Sequence, residues 1–425
     1  MSADVNHIAE KVGTILGIGG LLSLGFYTDA DIWTIEIGST VFWIFEGLVS
    51  VGLFSVIVGV AGILLTYEVW LGKSSSDEIR NGPPVQAIVP AYHDADVVHE
   101  SVTSLLDSEY APLCIAIVVE PDDERTRDRA AELTDQYETV SWIINDTPGS
   151  KATAINTAVE HSTADHFVVF DADERASPRF VPIAMRSLLN GTDVFQGRRM
   201  PRPTGPIETV AYCERVVVQA GYLLGELVGF THCQSSATGF TREAFNRVGG
   251  YRDMLTEDIY FSHQCYRAGL TVTRNSRCTS TMEAPHTFCD LWGQRKRWRI
   301  GHVQVAHRRI SEAMSGNRNA SDLLTVGRSI GAVLAGGVLL VLTAHVLFLF
   351  VVSTESALLP FASIFGMIAA VWSHDAAEGR IGRPSWSIVF APLVYLGHGV
   401  LTVKALFEYT LTWNGEWYRV VKVGT

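Results

Sequence analysis

Lysine is almost missing from this sequence. Its 425 residues hold six Lys against 27 Arg, and the formal net charge is −12. An acidic chain without an extended basic tract lacks the electrostatic footprint of a nucleic-acid binder, so that class is excluded. High acidity with little Lys keeps proteins soluble at high salt, and a halophilic archaeal source is the expectation. Cysteine is sparse as well: six residues, at 114, 213, 233, 265, 278 and 289, with no Cys-x-x-Cys pair. So scattered, they exclude a zinc ribbon or a disulfide framework and read as reduced, mostly buried thiols. Charged residues make up only 18% of the chain, hydrophobic residues 47%, and mean hydropathy is +0.18. The charge is concentrated mid-chain, which suggests a soluble domain flanked by membrane segments.

The apolar runs sit at both ends. Val12 to Phe26 is Gly-rich and short for a span; it either just crosses with Ile8 and Ala9 or lies as an interfacial helix. Val41 to Leu71 is apolar apart from Glu46 and Glu68 and reads as a transmembrane helix, too long for a signal-peptide core. Residues 1–80 thus form a membrane region of one or two spans. Lys73 and Arg80 follow a preceding loop without Lys or Arg, so the positive-inside rule puts what comes next in the cytoplasm. Near the other end, Ile330 to Val352 and Trp386 to Phe407 are good spans, with a shorter run, Ala357 to Trp372, between them. Residues 325–410 are therefore a second membrane region of two or three spans. The tail, 411–425, carries Arg419 and Lys422 beside Trp417 and Tyr418, which favours an interfacial position.

Between them, residues 81–310 alternate strand and helix patterns. Val85–Val89, Cys114–Val119, Val140–Ile144 and Phe167–Phe170 are strand candidates. Val97–Leu106, Arg125–Tyr137 and Lys151–Glu160 carry helical spacing. This alternation predicts an α/β domain on a parallel, doubly wound sheet. Asp193–Gln196 resembles a further strand. Pro206 to Phe230 predicts a long helix, lying either on the membrane surface or packed against the sheet.

The unusual polar residues fall just after strand ends, where open α/β sheets bind ligands. Phe167–Phe170 runs into Asp171-Ala172-Asp173. In turn backbone both carboxylates can reach one hard cation, and Mg²⁺ is held by one or two carboxylates plus substrate phosphates. A solvated acidic turn is the plainer alternative. Further on stand Thr256-Glu257-Asp258, opening a helix, and Gln294-Arg295-Lys296-Arg297-Trp298. For Arg295 and Arg299 a basic patch facing anionic lipid is the competing role.

Together with Gly149-Ser150-Lys151-Ala152-Thr153-Ala154-Ile155-Asn156, these motifs resemble a membrane-embedded family 2 glycosyltransferase, of the cellulose, chitin and hyaluronan synthase type, over residues 84–300. The resemblance implies a GT-A (Rossmann-like) fold flanked by transmembrane helices, a nucleotide-diphosphate sugar donor, a divalent metal and inversion at the anomeric carbon. It implies metal ligation by Asp171 and Asp173 with Mg²⁺ or Mn²⁺. It places Lys151, Asp171, Gln294 and Arg297 on the donor, Glu257 and Trp298 on the acceptor, and Asp258 as the base. A UDP-sugar is the expected donor. Glu120-Pro121-Asp122-Asp123 stands where the family has a paired-Asp–Gly–Ser turn, leaving Asp122, Asp123 and Glu120 open as the nucleoside reader.

The chemistry accounts for these residue types. The leaving diphosphate gains negative charge in the transition state, so fixed positive charge there speeds departure. The planar fork of Arg297 suits phosphate oxygens. Direct displacement needs one base for the acceptor proton, which Asp258 would supply; its alternative is a first-turn carboxylate favoured by the helix dipole. Trp298 offers a stacking face. The Gln-x-x-Arg-Trp pentad and the C-terminal spans favour extension of a polysaccharide with translocation. The alternative is one sugar added to a lipid carrier or lipid-linked glycan. Tyr418-Arg419-Val420-Val421-Lys422 matches the synthases' gating segment only loosely. A non-catalytic scaffold would be expected to lack the carboxylates that are present.

Overall fold

The structure, a computed structural model, describes residues 37–72, 78–315, 320–412 and 422, with side chains from residue 44 on except 395 and 396. The short apolar stretch Val12 to Phe26 and all of the basic, aromatic tail except Lys422 lie outside the described residues.

A long helix, α1 (Ile37–Leu71), leads into the sheet domain. Strands β1 (Asn81–Ala91), β2 (Ala111–Val119), β3 (Val140–Ile144) and β4 (His166–Val169) alternate with helices α2 (Val98–Leu106), α3 (Glu124–Gln136) and α4 (Lys151–His161). β1 pairs in parallel with both β2 and β4, and β2 with β3. These strands are mostly apolar because both faces are covered. Val85, Ala87 and Val89 of β1 join Val168 and Phe170 in one core. Ile88, Phe167 and Val169 point into the other, against Ile155, Ala158 and Val159 of α4. The period of two along each strand sorts these side chains to opposite faces.

Beyond β4 the sheet is no longer parallel. The chain adds β5 (Arg175–Ala176), α5 (Phe180–Leu189), β6 (Val194–Pro201), α6 (Pro206–Leu227), β7 (Thr238–Thr241), α7 (Arg242–Val248), α8 (Glu257–Arg267) and β8 (Val272–Met282). The eight-stranded order is β3-β2-β1-β4-β7-β6-β8-β5, with β7 antiparallel to both β4 and β6. The expected all-parallel sheet is thus a mixed one. The excursion through α6 returns the chain from the far side, so β7 enters reversed.

α6 does not lie free on a surface. Tyr212, Val216, Val217, Ala220 and Leu223 pack against Val58, Leu65 and Val69 of α1. They also meet α11 (Thr354–Ala377) through Met367, Val371 and Trp372. The remaining helices are α9 (Phe288–Ser315), α10 (Ala320–Val352) and α12 (Ala391–Thr412), the last preceded by a 3₁₀ turn, Trp386–Phe390. Among the described residues three helices are long and apolar enough to cross a membrane: Ile44–Leu71, Ala320–Val352 and Thr354–Ala377. A bent pair, Trp386–Val394 and Gly397–Thr412, makes a fourth if counted as one span. The middle C-terminal run looked short because Asp375 interrupts its hydropathy. In the fold Asp375 is wholly buried, held by Arg198 of β6 and by the Tyr212 hydroxyl at 2.6 Å, so the helix extends to 24 residues. All six cysteines are free thiols, four of them buried.

Candidate active site

Four loops at the carboxyl ends of β1, β2, β3 and β4 form one wall of a cavity of about 1230 Å³. After β1, His93 takes a left-handed φ of 56°. That conformation is costly for a residue with a Cβ and is held by its neighbours. The His93 N–H donates to Asp123, and the Asp94 N–H to the Thr126 hydroxyl at 3.0 Å. Asp123 also caps α3 by accepting from the Thr126 N–H at 3.2 Å, and it is 3% exposed. Glu120 accepts from the Asn145 side chain at 2.7 Å and from the Gly149 N–H at 3.0 Å. Glu120 thereby fixes the loop before α4, where Gly149 has φ of 120°, a conformation open to glycine. Asp122 differs from its neighbours: it lines the cavity, with the Tyr92 hydroxyl 3.4 Å away. Of the three acids left open by the sequence, Asp122 is the one not committed to holding a loop.

After β4, Asp171 and Asp173 part ways. Lys151 Nζ lies 2.5 Å from Asp171 Oδ1, and Arg199 pairs with its other oxygen. Burial pushes the Asp171 carboxyl up, but Lys151 and Arg199 outweigh it and hold it well below the usual carboxylate range. Asp173 is 5% exposed, accepts from the Glu283 N–H at 3.1 Å and points Oδ1 at Lys422 Nζ, 3.0 Å away. The same ammonium lies 3.0 Å from Asp94 Oδ1. Two carboxylates thus converge on one cation position. The donor set, two hard oxygens with room for phosphate oxygens, fits a Mg²⁺- or Mn²⁺-sized ion. Lys422 is thus shared by Asp173 and Asp94, while Asp171, which the sequence paired with Asp173, faces Lys151 and Arg199. Asp171 is already neutralised by two basic side chains. Among the described residues no group of three or more His, Cys, Asp or Glu side chains forms a metal cage.

The opposite wall is α9. Gln294, Arg297, Trp298, His302 and Val305 all line the cavity. Their spacing is that of one helix face, which explains the pentad's pattern of residues 294, 297 and 298. The residues between point elsewhere. Arg295 is buried in a two-bond ion pair with Glu214 of α6, with Nε–Oε distances of 2.7 and 3.0 Å, so its charge serves packing and not lipid contact. Lys296 reaches Glu408 of α12 at 3.0 Å. The Trp298 ring has the Arg295 guanidinium 4.5 Å from its centre and that of Arg215 at 5.3 Å.

α9 also grips the turn that presents Asp258. Arg297 Nη1 donates to the Leu255 carbonyl at 2.8 Å, and the Leu255 N–H donates to Gln304 at 3.0 Å. Gly301 lets the helix come this close; a Cβ there would sit 2.3 Å from Thr256 Cγ2. Asp258 stands in the first turn of α8, lines the cavity and accepts from the Ile259 N–H at 2.8 Å. Burial raises its pKa above the ordinary carboxylate value. Glu257 accepts from the Ser235 hydroxyl at 2.7 Å, and burial and then Asp258 raise it too. Ser236 accepts from the Asp171 N–H at 2.8 Å, so one serine pair ties both acidic motifs together.

The fold therefore brings Asp122, Lys151, Asp171, Asp173, Glu257, Asp258, Gln294, Arg297 and Trp298 to one cavity and turns Asp123 away from it. Sequence reasoning missed Asp94, Arg199 and Arg215. Asp94 was within reach, since it follows a strand end as Asp122 and Asp171 do. Arg199 and Arg215 lie on β6 and α6, where local pattern carries no such mark.

Residues 83–301 match the family described as "Glycosyltransferase like family 2". Among curated proteins the chain is 23% identical over 209 residues to the dolichol-phosphate mannosyltransferase of Pyrococcus furiosus, covering 48% of this chain and 56% of that one. It is 22% identical over 257 residues to the poly-beta-1,6-N-acetyl-D-glucosamine synthase of Staphylococcus aureus, covering 58% of this chain and 61% of that one. The chain spans little more than half the length of these curated relatives. Among solved structures, the mannosyltransferase PcManGT from Pyrobaculum calidifontis in complex with GDP-Man and Mn²⁺ overlays with a TM-score of 0.51 at 15% identity. That overlay covers 87% of this chain and all of the other, and likeness at such identity speaks to the fold alone.

Proposed function

The chain belongs to the glycosyltransferase-like family 2, an enzyme with a GT-A fold and membrane helices that transfers sugar from a nucleotide-sugar donor, and from that premise we propose inverting transfer to a membrane-held acceptor. The observation that carries this reading is that a paired cation seat, Asp94 with Asp173, and a half-buried carboxylate, Asp258, open into the same cavity. Asp94 and Asp173 would hold the Mg²⁺ or Mn²⁺, whose charge would offset that of the donor diphosphate. Tyr92 and Asp122 bind the nucleoside. Arg297 adds fixed charge on the donor side while holding the Leu255 carbonyl. Asp258 takes the proton of the acceptor O–H as that oxygen attacks the anomeric carbon and the bond to the nucleoside diphosphate breaks. Burial raises its pKa above the ordinary carboxylate value, which strengthens it as a base.

The relatives include a dolichol-phosphate mannosyltransferase and a poly-beta-1,6-N-acetyl-D-glucosamine synthase, so a lipid phosphate and a growing polymer are the two acceptor classes to weigh. A UDP-sugar remains the expected donor. A growing glycan would stack on Trp298. The Arg215 guanidinium beside that ring favours instead an acceptor bearing negative charge. The test is donor turnover by purified protein with and without Mn²⁺. Metal-dependent release of nucleoside diphosphate from at least one nucleotide sugar is expected, and its absence across UDP-, GDP- and dTDP-sugars would overturn the reading.

A further inference from the structure

The cavity is larger than a donor needs. Its volume of about 1230 Å³ exceeds the ~300–1,000 Å³ of an ordinary small-molecule pocket. Past Asp258 it continues into a chamber between α6, α9 and α10, lined by Arg215, Tyr222, His232, Arg299, His302 and Arg328.

The charges of this chamber do not balance. Glu214 is held by Arg295 and by His398 at 2.6 Å, and Glu226 by Arg274 at 2.8 Å. Glu257 and Asp258 close the catalytic end. Arg215 is only 7% exposed, yet among the described residues it has no ion pair and no hydrogen bond; it faces the Trp298 ring, and Glu214, the acid in its field, is already taken by Arg295 and His398. A guanidinium keeps its charge when buried, and burying one without a partner is strongly unfavourable. Such a group in the wall of a cavity is placed for an anion. The histidines report the same field. His232 and His302 are pushed down to about 3, first by burial and then by Arg274 and Arg215 on the one and Arg299 on the other. They are neutral at pH 7, so each retains an N–H to donate.

The surface next to Arg328, outside the cavity lining, is apolar. Arg328 Nη2 donates to the Val228 carbonyl at 2.7 Å, joining the end of α6 to the start of α10. Beside that bond Leu227 and Val228 are 67% and 66% exposed, and Leu323 and Leu324 are 56% and 51% exposed on the first turns of α10. α10 is itself one of the candidate spans. A cationic interior beside an apolar surface at a membrane helix matches a molecule with a charged head and a hydrocarbon tail.

We propose that the chamber built by Arg215, Arg299, Arg328 and His302 binds the phosphate of a lipid-borne acceptor, with the lipid chain leaving over Leu227, Val228, Leu323 and Leu324. Arg suits this because its planar fork meets two phosphate oxygens at once. The inference rests on the transferase reading, in which an oxygen of the bound phosphate attacks the anomeric carbon and any proton it carries passes to Asp258 as the bond to the nucleoside diphosphate breaks.

The experiment measures binding to the full chain in detergent micelles, with a C15 isoprenyl monophosphate, the parent isoprenol and inorganic phosphate as probes, and nucleotide-sugar affinity taken in the same samples. The lipid phosphate is expected to bind at least ~10-fold tighter than either other probe, because each lacks half of the recognition. Arg215→Gln is expected to weaken lipid-phosphate binding about tenfold or more, and Arg215→Lys to restore part of it. Donor affinity should change far less in both variants. Equal binding of the isoprenol would remove the phosphate from the proposal, and equal binding of inorganic phosphate would remove the lipid. An unchanged Arg215→Gln, or equal loss of donor and lipid-phosphate affinity in both variants, would overturn the assignment to this chamber. Intact donor turnover with no lipid-phosphate binding would refute the chamber's role and leave the transferase standing.

Discussion

At the scale of single residues, the site works by dividing labour among like groups. Asp171 and Asp258 are both carboxylates lining one cavity, and their surroundings drive them apart: Lys151 and Arg199 hold the first down, whereas burial lifts the second. The kinetic consequence is a sign. A base must be ionised, so kcat/KM should rise with pH through a limb displaced above the ordinary Asp value of ~3.9. A pH–rate profile whose acid limb sits at or below that value would contradict Asp258 as the base. Asp258→Asn keeps the shape and loses the proton acceptor; turnover should fall by ~10²–10⁴ while donor affinity is kept. The cation seat makes a second residue-scale prediction. Asp94→Asn should weaken Mn²⁺ binding about as much as Asp173→Asn, whereas a variant at Asp122 should leave it alone. Titrating Mn²⁺ by electron paramagnetic resonance separates these, and an Asp94→Asn protein with unaltered Mn²⁺ affinity would remove Asp94 from the pair.

At the scale of elements, α9 is the part that turns a motif into a site. Its face at 294, 297 and 298 looks into the cavity, while Arg297 and Gln304 clamp Leu255 from both its carbonyl and its N–H. Gly301 makes that contact possible, so Gly301→Val should force α9 and the Thr256 turn apart. The expected cost is ~1–3 kcal/mol of stability, with a further loss of turnover because Asp258 shifts. Thermal unfolding and kcat measured on the same protein check it; full activity with an unchanged Tm would mean the helix does not press on that turn. Much of this element was legible beforehand. Strand runs such as Phe167–Phe170 are apolar on both sides because both faces are covered, and polar residues that interrupt at their ends must face something else. What sequence could not show was the reversal of β7, which depends on where α6 sends the chain. Nor could it show the direction of Arg295, whose partner Glu214 lies on another helix.

At the scale of the whole molecule, the sheet domain and the membrane helices are one packed unit. Arg198 of β6 is 3% exposed and Asp375 of α11 is 0% exposed, and they meet in a two-bond ion pair. Removing one partner strands the other in the interior, so Asp375→Ala should cost ~3–5 kcal/mol and lower Tm in detergent sharply. A shift of under a degree would show that sheet and helices are joined by other means. The sequence displayed Asp375 only as a break in an apolar run, because its compensating charge lies 177 residues away. The central claim, metal-assisted inverting transfer from a nucleotide sugar at this cavity, is tested most directly by one measurement. Purified protein in lipid vesicles is given Mn²⁺ and a panel of labelled nucleoside-diphosphate sugars, and the anomeric configuration of the lipid-extractable product is determined for wild type and Asp258→Asn. Label is expected in the membrane fraction from at least one donor, with inverted configuration and with product lost in the variant. Retained configuration, or equal product from Asp258→Asn, would contradict it.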